Sequence, residues 1–493
     1  MADELDLGLR IHSHIKQQPM LRVAANPYRI GSASSRMVAA FVRMGGESSP
    51  WGVAWKLGRR RTEFRFAPEP RNRAAVQEML IDFANALDGH FEDGELDLPQ
   101  LFLPGATHVE MIHFLAIRHT RGTIGDERML PVLQRMGRRC YELFEATRNR
   151  NRTHCLDMTA VLRRLYAFPC EPAREAHLGY LVSWLEPGNK SLAAREAERL
   201  TVSTSIDPRV EGEMEKPVAA YGAGDPHAAK LIGAMLEKEL ARRIDLTIRA
   251  IEAATDAADE NPGVDSLVEA SRGDIARFSE REATRRPGDI GGGAGMTGHA
   301  MGDAANFAGF EADQIAAQRA LVPHDHLLQT QLIESGSGVE GSVQEIVRVA
   351  KGRTHRIQID LACPDETLVR FRVGDKLVGT TPPATNTEWQ VEAIDQDAGH
   401  RRIRLISSKA LAMDQAPRNG SEGVRFCSLE DPSLKLRLLS KIREASSDDP
   451  DDQTLGQWIL EGVQGRRDAA DPPAAEELDL TGAAQKEDRD AEV

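Results

Sequence analysis

"GVEGSVQEIVRV", residues 338–349, is where the hydrophobic period of the chain changes. Before it, apolar residues recur three and four positions apart, as on one face of a helix. From here they recur every second position, as in half-buried strands. "THRIQIDL" from Thr354, "TLVRFRVGDKLVG" from Thr367, "EWQVEAID" from Glu388 and "RRIRLIS" from Arg401 continue the pattern, with turn residues between them. "EGVRFCSL" from Glu422 supplies the last run. Five or six short strands over about 90 residues predict a small β-barrel of the OB or SH3-like kind. In the third run Val369, Phe371 and Val373 alternate with Arg370 and Arg372. Arg402 and Arg404 alternate in the same way with Ile403 and Leu405. These four arginines fall opposite the apolar face and are the barrel's candidate phosphate contacts.

Outward from the barrel, "FEADQIAAQRAL" from Phe310 reads as an entry helix, so 311–440 forms one unit. Residues 281–310 are glycine-rich and include "GGGAGMTGHAMGD" from Gly291, with Gly293, Gly295 and Gly298 in a Gly-x-Gly-x-x-Gly pattern. A dinucleotide loop needs a buried strand before it and an acid about 20 residues after it. Here "TRRPGDI" precedes it and a helical pattern follows, so the stretch is expected to be a linker. A Walker loop also fails, because "PGNKS" at 187–191 has Asn189 between Gly188 and Lys190. No cofactor is expected.

The segment 104–280 has helical spacing in "HVEMIHFLAI", "MLPVLQRMGRRCYELF" and "LDMTAVLRRLYAF". Its clearest helix starts at Asp225, an N-cap followed by Pro226 at the first helical position. Ile232, Leu236, Leu240, Ile244 and Ile248 form its stripe, and "ENPG" at 260–263 stops it. This segment is expected to be a helical domain. Residues 1–95 read as a small mixed unit: "RMVAAFVRM" and "WGVAWKLGRRRTEFRFAP" are strand-like. "NRAAVQEMLIDFANALDGHF" is a helix with Val76, Leu80, Phe83 and Leu87 on one stripe and Gly89 near its end as a C-cap. The fold class is therefore α+β and multi-domain: a mixed N-terminal unit, a central α-helical domain, a C-terminal small β-barrel and a tail.

The tail, 445–493, holds 14 acidic and four basic residues, which is ten of the 14 net negative charges of the chain. Repeated acids with proline and few apolar residues predict disorder, with "TLGQWILEGV" as an apolar island that suits a docking helix. Charge is segregated elsewhere too: Arg118 to Arg174 contains 12 arginines, no lysine and six acids. Arg135, Arg138, Arg139, Arg148, Arg150, Arg152, Arg163 and Arg164 make a candidate guanidinium face for phosphates. No apolar run reaches the roughly 18 residues needed to span a bilayer. The first residues, "MADELDLGLR", lack the basic and apolar regions of a signal peptide. Five scattered cysteines without a Cys-x-x-Cys fit reduced thiols, so a cytoplasmic location is expected.

The catalytic inventory is thin. His12 with His14, His324 with His326, and His108 with His113 and His119 lack the context of a metal site, and none is assigned. In "ATRNRNRTHCLDM", residues 146–158, Arg148, Asn149 and His154 resemble the Arg-polar-x-His signature of the HEPN family of small α-helical ribonucleases. That resemblance implies metal-independent RNA cleavage by paired protomers through the substrate's own 2′-hydroxyl, with Arg148 and His154 catalytic. Residues 320–430, from "LVPHDHLLQTQLIESGSGVEGSVQEIVRV" onward, resemble the accessory β-barrel inserted ahead of the motor in superfamily 1 helicases. In that family the barrel flanks the nucleic-acid channel. No Walker A or Asp-Glu-x-x box follows here, so the ATPase or helicase would be a separate polypeptide.

The expected function is a non-catalytic accessory or adaptor protein of a nucleic-acid-associated machine. Arg148, Arg150, Arg152, Arg370, Arg372, Arg402 and Arg404 would be its phosphate contacts. A HEPN-like ribonuclease and a purely protein-binding scaffold are the alternatives.

Overall fold

The computed structural model describes residues 2–22, 28–45, 47–120, 127–149, 152–171, 173–186, 203–256, 264–285, 300–351, 354–397 and 399–429. The glycine-rich motif from Gly291 and the tail 445–493, including "TLGQWILEGV", lie outside these residues. The chain begins with α1 (Ala2–Lys16) and the short strand β1 (Met20–Leu21). A meander follows: β2 (Arg36–Val42), β3 (Gly52–Leu57) and β4 (Glu63–Phe66). Then come α2 (Arg73–Glu92), β5 (Gln100–Leu103), α3 (Ala106–Thr120), α4 (Leu130–Arg148) and β6 (Cys155–Asp157).

These strands make one five-stranded sheet in the order β4-β3-β2-β5-β6. β2 pairs antiparallel with β3, and β3 with β4, whereas β2–β5 and β5–β6 are parallel. Six of the seven residues of β2 are buried, as expected of a central strand covered on both faces. That is why "RMVAAFV" is a continuous apolar run without alternation. On one face Met37, Ala39, Phe41 and Leu101 meet Leu80, Phe83, Ile112, Met136 and Leu143 of α2, α3 and α4. The other face, with Val38, Ala40, Phe102 and Leu156, is covered by later helices. These are α5 (Met158–Leu165), α6 (Leu178–Leu185), α7 (Pro208–Gly222) and α8 (Pro226–Asp256), with strand β7 (Tyr166–Ala167) paired to β1. Ile232, Leu236, Leu240 and Ile244 of α8 are all buried in that core. The Asp225 carboxylate accepts from the His227 N–H at 2.8 Å, which is the predicted cap.

Segments 1–95 and 104–280 thus share one sheet and two cores in a three-layer sandwich, which local periodicity does not reveal. β6 has three residues, too few for a period to register. One local expectation also changes. Gly89 lies inside α2, which runs on to Glu92, with His90 and Phe91 buried. Gly137 in α4 is needed for contact: a Cβ there would stand 2.4 Å from the Thr120 backbone nitrogen at the end of α3.

Two further helices, α9 (Val264–Thr284) and α10 (Ala300–Leu321), pack on each other through Val264, Leu267, Val268, Ala317 and Leu321. After α11 (His326–Glu334), capped by Asp325, come β8 (Gly338–Lys351), β9 (Thr354–Pro364), β10 (Lys376–Gly379), β11 (Glu388–Asp397), β12 (His400–Ser407) and β13 (Val424–Cys427). They close a barrel in the order β10-β11-β12-β9-β8-β13. Register shifts between Val343 and Glu345 and between Val391 and Ala393 bend the long strands toward closure. Trp389 and Phe426 meet edge to face in the barrel core, 5.7 Å apart, and the Trp389 indole donates to Thr387 Oγ1 at 2.6 Å. The run at 367–373 departs from the expected ladder. Val369 and Phe371 do pack into the core, but the segment is a cover outside the strand ladder, and Val373 is exposed.

Candidate functional site

Four of the arginines singled out in the sequence converge on one seam, and all are spoken for. Arg135 pairs with Asp88 at 3.1 Å and with Glu92, both from α2. Arg138 makes a two-point bond to Glu282 of α9, at 2.7 and 2.5 Å. Arg139 is fully buried, and its guanidinium lies 3.5 Å from the Phe278 ring centroid and 5.2 Å from that of Phe91. Arg152, just before β6, bonds Asp274 of α9 and Asp313 of α10, the latter at 2.6 Å. The acids come from sequence positions up to 161 residues away. Such pairs neutralise guanidinium groups that a phosphate would otherwise meet, and most of these groups are turned into the protein.

His154 sits in the same seam. It is fully buried, and its Nε2 bonds Glu142 Oε1 at 2.7 Å. Burial pushes the Glu142 carboxyl up, but His154 and Arg139 pull harder and hold it below the ordinary carboxylate range. Asp274 is held low in the same way, burial being outweighed by Arg152 and Arg277. Asp88 goes the other way: burial outweighs Arg135 and Arg139 and raises it. The arrangement locks α9 onto α4; it offers no opening for a substrate. Arg148, at the exposed end of α4, lies 5.4 Å over the Phe144 ring, so it is not enclosed with His154. A ribonuclease pair that must touch RNA is not assembled within one copy of this chain. Arg150 lies outside the described residues. Arg163 approaches Glu175 at 3.5 Å.

In the barrel the four arginines divide. Arg402 and Arg404 both bond the buried Asp360, at 2.6 and 2.9 Å, a cross-strand neutralisation between β12 and β9. Burial raises Asp360, but Arg404 and Arg402 outweigh it and leave the carboxyl below its ordinary range. Arg370 and Arg372 are exposed on the 367–373 cover and make no ion pair among the described residues. The three histidines of α3 also take separate roles. His108 Nδ1 accepts from the Phe41 N–H at 3.1 Å, and His113 stacks on Phe144 at 3.9 Å. His119 lines a surface cavity.

One feature is missing from the expectations. α1 is seated by its polar side: Arg10 bonds the buried Glu175, and buried Ser13 donates to Gln18 O at 2.6 Å and to Ala167 O at 3.0 Å. Its apolar stripe, Leu7, Ile11 and Ile15, faces outward, at 56, 50 and 71% exposure. The i, i+4, i+8 spacing is legible in the sequence, but its outward orientation comes from the tertiary anchors at Glu175 and Ala167. Helices of soluble domains normally bury such a stripe.

No known protein family, curated protein or solved structure matches the chain. Among the described residues, no helix is long and apolar enough to cross a membrane.

Proposed function

We propose that the protein is an accessory adaptor that docks a partner protein on α1 and associates with nucleic acid through its exposed arginines. The observation that carries the reading is the inverted seating of α1, with Ser13 and Arg10 inward and Leu7, Ile11 and Ile15 outward. Three aliphatic anchors one helical turn apart are the chemistry of a helix laid into a partner's apolar groove. Arg370 and Arg372, with Arg148, are the expected residues that retain open guanidinium groups. The resemblance of the sequence of residues 320–430 to the accessory barrel of superfamily 1 helicases is the basis for proposing a separate ATPase or helicase as the partner class. Five free, buried cysteines support a reducing, cytoplasmic setting.

The test is co-purification of the full chain and of an L7D/I11D/I15D variant with identification of retained proteins. The expected result is a nucleoside-triphosphatase retained by the wild type and lost by the variant, with unchanged circular dichroism. Identical retained proteins in both samples would overturn the docking assignment.

A further inference from the structure

A cavity of about 390 Å³ opens where the loop after β2 meets the start of α2 and the end of α3. β2 and β4 are both antiparallel to β3, so they run in the same direction. The loops that follow them therefore leave the same edge of the sheet, the carboxyl ends of the two strands. Crevices at such edges are where α/β sheets hold ligands. The volume falls within the range of roughly 300–1,000 Å³ typical of small-molecule sites.

The lining is cationic with an apolar wall. Arg71 bonds Glu47 at 2.9 Å, which ties the loop to the start of α2 and cancels both charges. Arg73 and Arg118 remain, with no ion pair among the described residues. Within the field of both is His119, only 7% exposed, which lines the cavity and makes no hydrogen bond within the described protein. Its ring nitrogens are not among the enclosed atoms left without a partner, so the imidazole is open to a group that enters the cavity. The first turn of α2 is already capped by Asn72, which accepts from Ala74 and Ala75 at 3.1 and 3.2 Å. A ligand is therefore held by side chains, with the α2 dipole adding to the attraction for negative charge. Phe114 and Val76 supply the apolar side.

We infer that this cavity binds a phosphomonoester, with its phosphate between Arg73 and Arg118, His119 donating to one phosphate oxygen, and its organic body against Phe114 and Val76. Guanidinium pairs suit this group because their planar donors match phosphate oxygens two at a time. Burial, then Arg118 and Arg73, lower His119 to about 4, so it is a neutral donor at pH 7. A bound dianion opposes the two arginines and raises it. This inference is independent of the adaptor reading, since neither α1 nor the barrel lines the cavity.

Calorimetric titration of the full chain with adenosine 5′-monophosphate, inorganic phosphate and adenosine tests it. The nucleotide is expected to bind more tightly than phosphate, and adenosine not at all. Arg73→Ala and Arg118→Ala are each expected to weaken the nucleotide at least tenfold. In nuclear magnetic resonance, the imidazole signals assigned to His119 by their loss in His119→Gln shift on adding nucleotide. Equal binding by wild type and R73A/R118A, or unmoved His119 signals, would overturn the site. Phosphate binding as tightly as the nucleotide would overturn the assignment of Phe114 and Val76 to the ligand body.

Discussion

The seam between α4 and α9 and the 367–373 cover of the barrel carry the same residue type in opposite states. Arg138, Arg139 and Arg152 are each met by an acid or a ring from a distant element, whereas Arg370 and Arg372 meet solvent. An arginine cluster in a sequence therefore says little about phosphate binding until its long-range partners are known. In the seam the charges hold the fold together; on the cover they are free for a ligand.

The largest expected effect comes from breaking the seam. Arg152→Ala leaves Asp274, three-quarters buried, without its strongest partner, while Asp313 is more exposed and can be hydrated. Removing one member of a buried pair costs about 3 kcal/mol or more. Urea unfolding is expected to show that loss, and R152A/D274N is expected to lose less than the two single changes combined. A loss below about 1 kcal/mol in Arg152→Ala would mean that the seam behaves like a surface pair.

Most of the barrel was legible because its strands are long and alternate, so a period of two is stated by Ile357, Ile359 and Leu361, and again by Ile403 and Leu405. In the sandwich β2 to β4 and most of the helices were legible, but β5 and β6 were not, and neither was the sheet they complete. Its parallel pairs β2–β5 and β5–β6 join residues from Arg36 to Asp157, and no local pattern encodes which strands neighbour one another. Arg152 illustrates the same limit for the site. Its neighbours in sequence are Asn151 and Thr153, and nothing in "NRNRTH" announces Asp274 or Asp313. The cavity was hidden for the converse reason. Arg73, Arg118 and His119 stand in unremarkable helical runs and meet only after α2 and α3 pack on the sheet.

Acid is expected to separate the sandwich from the barrel. Burial, opposed by a bond to the Gln100 carbonyl, lowers His90 to about 4, and His119 is lowered to the same value. An unfolded histidine takes a proton near pH 6.5, so between that value and about 4 the unfolded state holds more protons than the folded one. Stability is then complete above pH 6.5 and falls with acid, by up to about 1.4 kcal/mol per pH unit for each histidine. The described histidines of the barrel, His355 and His400, are exposed. Carboxylates such as Asp360 and Asp274, held low in the fold, lose their contribution only below the usual carboxylate range. Amide protection factors, corrected for the intrinsic exchange rate at each pH, are thus expected to fall toward pH 5 at Phe102 in β5 before Ile359 in β9. Equal loss of protection in both, or an unchanged pH slope in His90→Gln, would contradict the histidine account.

The smallest effect is expected on the 367–373 cover, and its smallness is informative. Arg370→Ala and Arg372→Ala remove exposed side chains without ion-pair partners, so unfolding free energy changes by no more than about 0.5 kcal/mol. Their backbone roles persist, because the Arg370 N–H donates to Gly336 O at 2.9 Å and the Arg372 N–H to Asp375 at 2.7 Å. Single-stranded nucleic-acid binding, followed at several salt concentrations, is expected to weaken in the double variant and to lose steepness against salt, as when phosphate contacts are removed. Arg402→Ala serves as the opposed control: it disturbs the Asp360 pairing, so it lowers barrel stability while leaving the salt slope unchanged. If Arg402→Ala changes the salt slope and R370A/R372A does not, then the paired and open arginines have been assigned the wrong way round.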